Sequence, residues 1–276
     1  MLAFFGRRFL SNKMAVSGGI VIALLFFIAL IAPWIAPHDP LQQDLLMRLK
    51  PPSSAHWFGT DELGRDVFSR LLVGLRVSLS IGFIAAFISV AIGTLWGLIS
   101  GYCSGWVDAV LMRIVDILLC FPTLVLILMI LAVMEKPSVR VVMAVIGLTS
   151  WTGLARMIRA EALSLRERDF IMTAKGLGLS TPRVLFVHFL PNVVSPVLVA
   201  ATLTVGAAIL TESGLSFLGL GVQPPMPSWG SILTSGKDFI HVAWWLSLFP
   251  GLAILLTVLA FNLVGEGLRD VLDPRL

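Results

Sequence analysis

Residues 14–36, MAVSGGIVIALLFFIALIAPWIA, run for 23 positions without a charge. An α-helix needs about 20 apolar residues to cross the hydrocarbon of a bilayer. Backbone groups in lipid have no outside partner, so a helix is the form such a run is expected to take. Basic Arg7, Arg8 and Lys13 precede the run, which raises the competing reading of a secretory leader. The run is too long for a leader's apolar core, and several more follow it.

Hydropathy places further spans near 77–100, 108–134, 141–158, 186–212 and 243–265, giving six. Composition agrees: the 276 residues are 57% apolar and 13% charged, where a soluble domain carries about 25% charged residues. The expected class is all-α, a polytopic membrane protein with six transmembrane helices. Pro122 and Pro250 fall inside spans and are expected to kink them.

Lys and Arg set the expected orientation. With a cytoplasmic N-terminus, inside segments hold 12 of the 20 basic residues, among them Arg156, Arg159, Arg166, Arg168, Lys175, Arg183, Arg269 and Arg275. Five of the outer eight lie between positions 48 and 76, and the acids Asp39, Asp44, Asp61, Glu62 and Asp66 of the same outer segment offset them. Both termini and the 159–185 loop are therefore expected on the cytoplasmic side, with residues 1–13 a short cytoplasmic lead-in to a permease domain over 14–276. The net charge of +4 then reflects topology, and no nucleic-acid partner is inferred from it.

Other features carry little chemistry. Cys103 and Cys120 make no metal pattern, and His38, His56, His188 and His241 are scattered singly, so no metal site is expected. Arg113 and Asp116 sit three apart and are expected to pair on one helix face. Gly93, Gly97 and Gly101 recur every fourth position, the spacing that lets helices approach closely in lipid. Glu212 is an ionisable group near membrane depth, hence a candidate for a polar translocation path or for a cap at the outer end of its span. Trp244 and Trp245 suit an interfacial belt. Residues 223–247 and the 38–70 loop are read together as an outer face that meets a partner.

The stretch KGLGLSTPRVLFVHFLPN (175–192) interrupts the grease. Asp169 is expected to cap a short helix whose Phe170, Ile171, Ala174 and Leu177 share one face, with Gly178 as its stop. Thr181 as cap with Pro182 behind it starts the next helix. An apolar face on so short a loop wants either a groove in another protein or a lipid surface.

The stretch resembles the coupling loop of ABC importer permeases: Glu-Ala-Ala, three residues, Gly, nine residues, Ile, one residue, Leu-Pro. Ala174, Gly178, Leu190 and Pro191 fall in register, while Met172, Thr173 and His188 depart from it. FGTDELGRDVFSRLLVGLRVSLSIG (58–82), MRIVDILLCFPTLVL (112–126), LSFLGLGVQPPMPSWGSIL (215–233) and FNLVGEGLRDVLDPRL (261–276) are similar to the C-type permease subunit of dipeptide, oligopeptide and nickel ABC importers. The resemblance covers nearly the whole chain in the family's order. It implies a permease paired with a second, homologous one, two ABC ATPases beneath, an extracytoplasmic substrate-binding protein above, and a bacterial or archaeal inner membrane. It also implies that the loop helix docks in an ATPase cleft, Asp169 to Gly178 forming a knob and Pro182 to Pro191 a rigid lever.

Peptides are the expected cargo, with nickel, another metal chelate or an opine as runner-up; dispersed His and Met favour peptides. The chain is not expected to be an enzyme or to hold a cofactor. Its nearest approach to a phosphate-binding loop is SGKD (235–238), which lacks the first glycine and the hydroxyl after Lys237, so ATP and Mg would be bound by the partner ATPases. A stand-alone secondary transporter would bury several ionisable groups at midplane, and few are present.

Overall fold

The computed structural model describes residues 12–134 and 138–272. Arg7, Arg8 and Arg275, three of the residues used for orientation, lie outside them. The described residues are mostly helical and hold no strand.

Helix α1 (Lys13–Ile35) starts at Asn12, whose side chain accepts from Met14 N and Ala15 N. Its apolar surface is largely exposed, Leu24, Phe27, Leu30 and Trp34 included, as a helix facing lipid requires. Helix α2 (Val67–Cys103) has 37 residues, about 55 Å at 1.5 Å per residue, against about 30 Å of hydrocarbon. The hydropathy window at 77–100 captured only its middle, because Arg70 and Arg76 fall in the first turns.

The third run differs from a kinked span. Helices α3 (Gly105–Leu119) and α4 (Thr123–Ala132) are bent by 79° across the break. Pro122 has no N–H to continue the ladder and disfavours helical geometry at Phe121 before it, so the expected kink becomes a full turn. Helices α5 (Val139–Thr149) and α6 (Thr152–Arg166) together form one long apolar element. Residues 159–166 thus belong to a helix packed on α2, and the connecting loop begins only at Glu167. After α7 (Asp169–Gly176), helix α8 (Thr181–Phe217), α9 (Trp229–Gly236) and α10 (Trp245–Leu272) complete the chain. Among the described residues five helices, or six spans if the bent pair crosses as one, are long and apolar enough to cross a membrane.

Helix α2 is the central post, touching α1, α3, α5, α6, α8 and α9, while α10 joins α1 to α8. The glycine run explains its closest neighbour. A Cβ on Gly93 would lie 2.8 Å from Trp151 O, on Gly97 2.5 Å from Ala155 O, and on Gly101 2.6 Å from Ala162 Cβ. The backbones of α2 and α6 meet where side chains are absent, which is the packing use of that spacing.

The bundle has two distinct ends. One holds residues 36–66, the 218–228 segment, α9 and the start of α10. The other holds the C-terminal ends of α2 and α6, with α7 and the start of α8.

Candidate functional site

At the second end, α7 begins on the carbonyl of Arg168, which accepts from Ile171 N and Met172 N. Asp169 therefore sits inside the first turn, where its charge suits the helix N-terminus, rather than in the cap position. The four apolar positions do not share a fate. At 100° per residue they cover an arc of about 120°, and only half of it meets the bundle. Ile171 and Ala174 are buried, at 0% and 4% exposed, whereas Phe170 and Leu177 are 42% and 75% exposed. Ile171 packs with Leu165, Val184 and Phe189, anchoring α7 to α6 and α8. Phe170, Met172 and Leu177 point away from the bundle's core.

Gly178 ends the helix at φ +73°, and Leu179 N donates to Ala174 O, the six-residue closure that a left-handed residue permits. The next helix is capped one residue earlier than expected: Ser180 is extended, and Thr181 and Pro182 are already helical. The lever is also not a plain α-helix. Residues Val184–Phe189 form a widened π turn, where Pro191 leaves the Val187 carbonyl without its usual donor and Asn192 Nδ2 donates to His188 O at 2.7 Å. Such a turn is a place where a helix can bend. Leu190 is half-buried and Pro191 exposed.

Beside it, a groove of about 710 Å³ runs between α6, α8 and α10, with Glu161, Arg168, Asn192, Ser195 and Arg269 among its lining. Helix α3 is clamped to α6 by two ion pairs. Arg159 is bidentate on Asp108 at 2.5 and 2.6 Å, and Arg156 reaches Asp116 at 2.5 Å. Asp116 thus pairs across helices and not with Arg113, because α6 lies close enough to offer a better-placed guanidinium.

At the first end, the FGTDELGRD stretch (58–66) is a self-bonded turn. Asp61 is fully buried; its Oδ1 accepts from Leu63 N and Arg65 N at 2.9 Å, and its Oδ2 from Arg65 Nε at 2.7 Å. Arg70 Nε stands 3.4 Å from the same oxygen. Gly64, at φ +72°, lies so near Asp44 that a Cβ would stand 1.7 Å from its carbonyl oxygen. Asp66 caps α2, accepting from Ser69 N at 2.8 Å. Sequence reasoning saw here only a signature, since Asp44, Lys50 and Trp245, which close the turn, are distant in the chain. Trp245 is buried and donates to Thr60 O at 3.1 Å, so only Trp244 stays exposed in the manner of a belt residue.

Glu212 is fully buried. Its Oε1 accepts from Ser216 Oγ at 2.7 Å and Ser228 Oγ at 2.8 Å, and the Val222 backbone N–H also reaches the carboxylate. The carboxylate thereby ties α8 to the segment before α9, and Trp229 extends the tie to α2 through Ser78 Oγ and Leu71 O. A cavity of about 230 Å³ opens between the two outer segments, lined by Glu62, Arg65 and Arg70 on one side and Gly219 and residues 221–226 on the other.

Residues 93–276 match the family described as binding-protein-dependent transport system inner membrane component. Residues 3–52 match the N-terminal TM domain of oligopeptide transport permease C. A dipeptide transport system permease protein of Alkalihalophilus pseudofirmus is 43% identical over 98% of this chain and 88% of its own length. A glutathione transport system permease protein of Pectobacterium atrosepticum is 44% identical over 99% and 90%, and an oligopeptide transport system permease protein of Bacillus subtilis is 43% identical over 98% and 88%. A chain of the MetNI methionine ABC transporter in inward-facing conformations shares the fold, with a TM-score of 0.59 at 17% identity, over 75% of this chain and 98% of that one. The chain belongs to the binding-protein-dependent transport system inner membrane component family.

Proposed function

We propose that the chain is one of two permease subunits of an ATP-driven importer and forms half of the membrane route for peptides. The observation that carries this is α7, a short helix anchored through Ile171 and Ala174 while Phe170, Met172 and Leu177 stay exposed beside the Gly178 stop. An ATPase cleft would seat that exposed half, and closure of two ATPases would push on Ile171 and through it on α6 and α8. Leu190 and Pro191, just beyond the π turn, lie where such a push would bend α8. On this reading α7 and both termini would face the cytoplasm, and ATP and Mg would be bound by the partner ATPases.

The opposite end would meet an extracytoplasmic binding protein. Supporting this, residues 223–247 and the 38–70 loop are joined by Trp245 and share the cavity bearing Glu62, Arg65 and Arg70. Such a cavity offers both charge signs to the two termini of a peptide. Glu212 would hold this end in shape, and it is the buried carboxylate with which a polar group in transit could meet. The named relatives handle dipeptides, oligopeptides and glutathione, which favours peptides over a metal chelate.

The test is purification from the native membrane with mass spectrometry of what co-elutes, followed by uptake of labelled di- and tripeptides into vesicles holding the recovered complex. A second permease, ATPases and ATP-dependent peptide uptake support the proposal. Recovery of this chain alone, or uptake driven by an ion gradient without ATP, overturns it.

A further inference from the structure

Two of the histidines that stand apart in the sequence meet in the structure. His38 follows the end of α1, His56 lies in the loop before the FGTDELGRD turn, and their rings are 4.7 Å apart centroid to centroid. Asp66, the cap of α2, lies beside them with its Oδ1 2.9 Å from His56 Nδ1. One nitrogen from each ring and one Asp66 oxygen all fall within 4.8 Å of one another.

The geometry points to a resident divalent transition-metal site, of the kind zinc occupies, held by His38, His56 and Asp66. Zinc takes His nitrogen and carboxylate oxygen at about 2.0–2.2 Å. Two such ligands at the tetrahedral angle are about 3.4 Å apart, so the 2.9 Å edge between His56 and Asp66 must open by about half an ångström, a small turn of the half-buried His56 ring. In the loaded site the proton on that edge moves to the outer nitrogen of His56, and the edge becomes two ligands on one ion. The longest separation of 4.8 Å must shorten by an ångström or so, a movement open to His38 because its ring is exposed.

The surroundings suit metal binding. His38 Nε2 lies 3.0 Å from Ala55 O. A carbonyl only accepts, so the proton stays on Nε2 and Nδ1 keeps its lone pair, the arrangement by which a second partner orients a ligating imidazole. Asp66 Oδ2 is held by Ser69 N and Ser69 Oγ, which fixes the carboxylate while leaving Oδ1 to the site. Ser69 Oγ also takes the His38 backbone N–H at 3.1 Å, so both ends of the site share one anchor. Three protein ligands leave a fourth position for water. An ion here would staple the exit of α1 to the start of α2. As Asp66 also caps α2, the ion is a resident of the fold and not its cargo.

Zn2+ added to the metal-free, detergent-purified full chain is the probe, read by competition with a chromophoric chelator and by the thermal melt. Co2+ substitution adds a visible absorption band for a four-coordinate site. One Zn2+ per chain is expected to bind, to raise the Tm, and to lose at least tenfold in affinity in each of H38A and H56A. His38→Ala retains the backbone bond to Ser69 and the cap at Asp66, so its loss of binding is not a loss of folding. The inference is overturned by no saturable Zn2+ binding to the native chain, or by binding and a Tm rise that survive in H38A.

Discussion

Gly178 separates two ways of damaging the loop. Its φ of +73° is left-handed, and a Cβ there would meet nothing within 4 Å. Any side chain thus incurs backbone strain, about 1–2 kcal/mol for most residues and less for Asn, which tolerates this region. Within this chain the space at that Cβ is open. Gly178→Ala and Gly178→Trp should carry similar strain, but Trp adds a large surface at an exposed turn, where a docked partner would meet it. If the exposed half of α7 seats in an ATPase cleft, overfilling that contact costs about 1–3 kcal/mol or more, and each 1.4 kcal/mol is tenfold in binding. ATP-dependent uptake of a labelled peptide, normalised to the amount of protein in the membrane, should therefore run from native through Asn and Ala, with Trp about tenfold or more below Ala. Equal uptake by the Ala and Trp variants at equal membrane levels would refute the docking of this surface.

Asp61→Ala removes the carboxylate shared by Arg65 and Arg70, both buried. Stranding such charges costs about 3–5 kcal/mol, so the melt of the purified chain should fall markedly, and an unchanged Tm would contradict the role assigned to the turn. Gly97→Leu places atoms into the α6 backbone and should reduce folded yield, whereas Gly19→Leu, where a Cβ meets nothing within 4 Å, should not; equal yields would show that the close crossing is unnecessary. Lys237→Glu together with Asp238→Lys should impair uptake at normal protein levels if α9 borders the surface that receives the binding protein. Native uptake by that pair would count against it.

Much of this architecture was legible because lipid imposes it. An uncharged run such as 14–36 has one outcome, and the glycine spacing at 93, 97 and 101 announced a close helix crossing before its partner, α6, was known. The arc of α7 was legible too, but not its division, since whether Ile171 or Phe170 faces inward depends on where α6 and α8 stand. Pro122 signalled a break without its size. The pairing of Asp116 with Arg156, the burial of Trp245 beside its exposed neighbour Trp244, and the meeting of His38 with His56 all rest on contacts between distant segments, which no local period encodes. The π turn before Pro191 likewise has no sequence period of its own.

The central claim is that the exposed half of α7 lies against an ATPase. A photo-crosslinking amino acid at position 177, where Leu177 is 75% exposed, tests it directly in native membranes, with a second probe at lipid-facing position 27 as control. The account predicts a covalent adduct from position 177 to a subunit carrying a phosphate-binding loop, and none from position 27. Adducts to lipid alone from position 177, in membranes where uptake is intact, would contradict it.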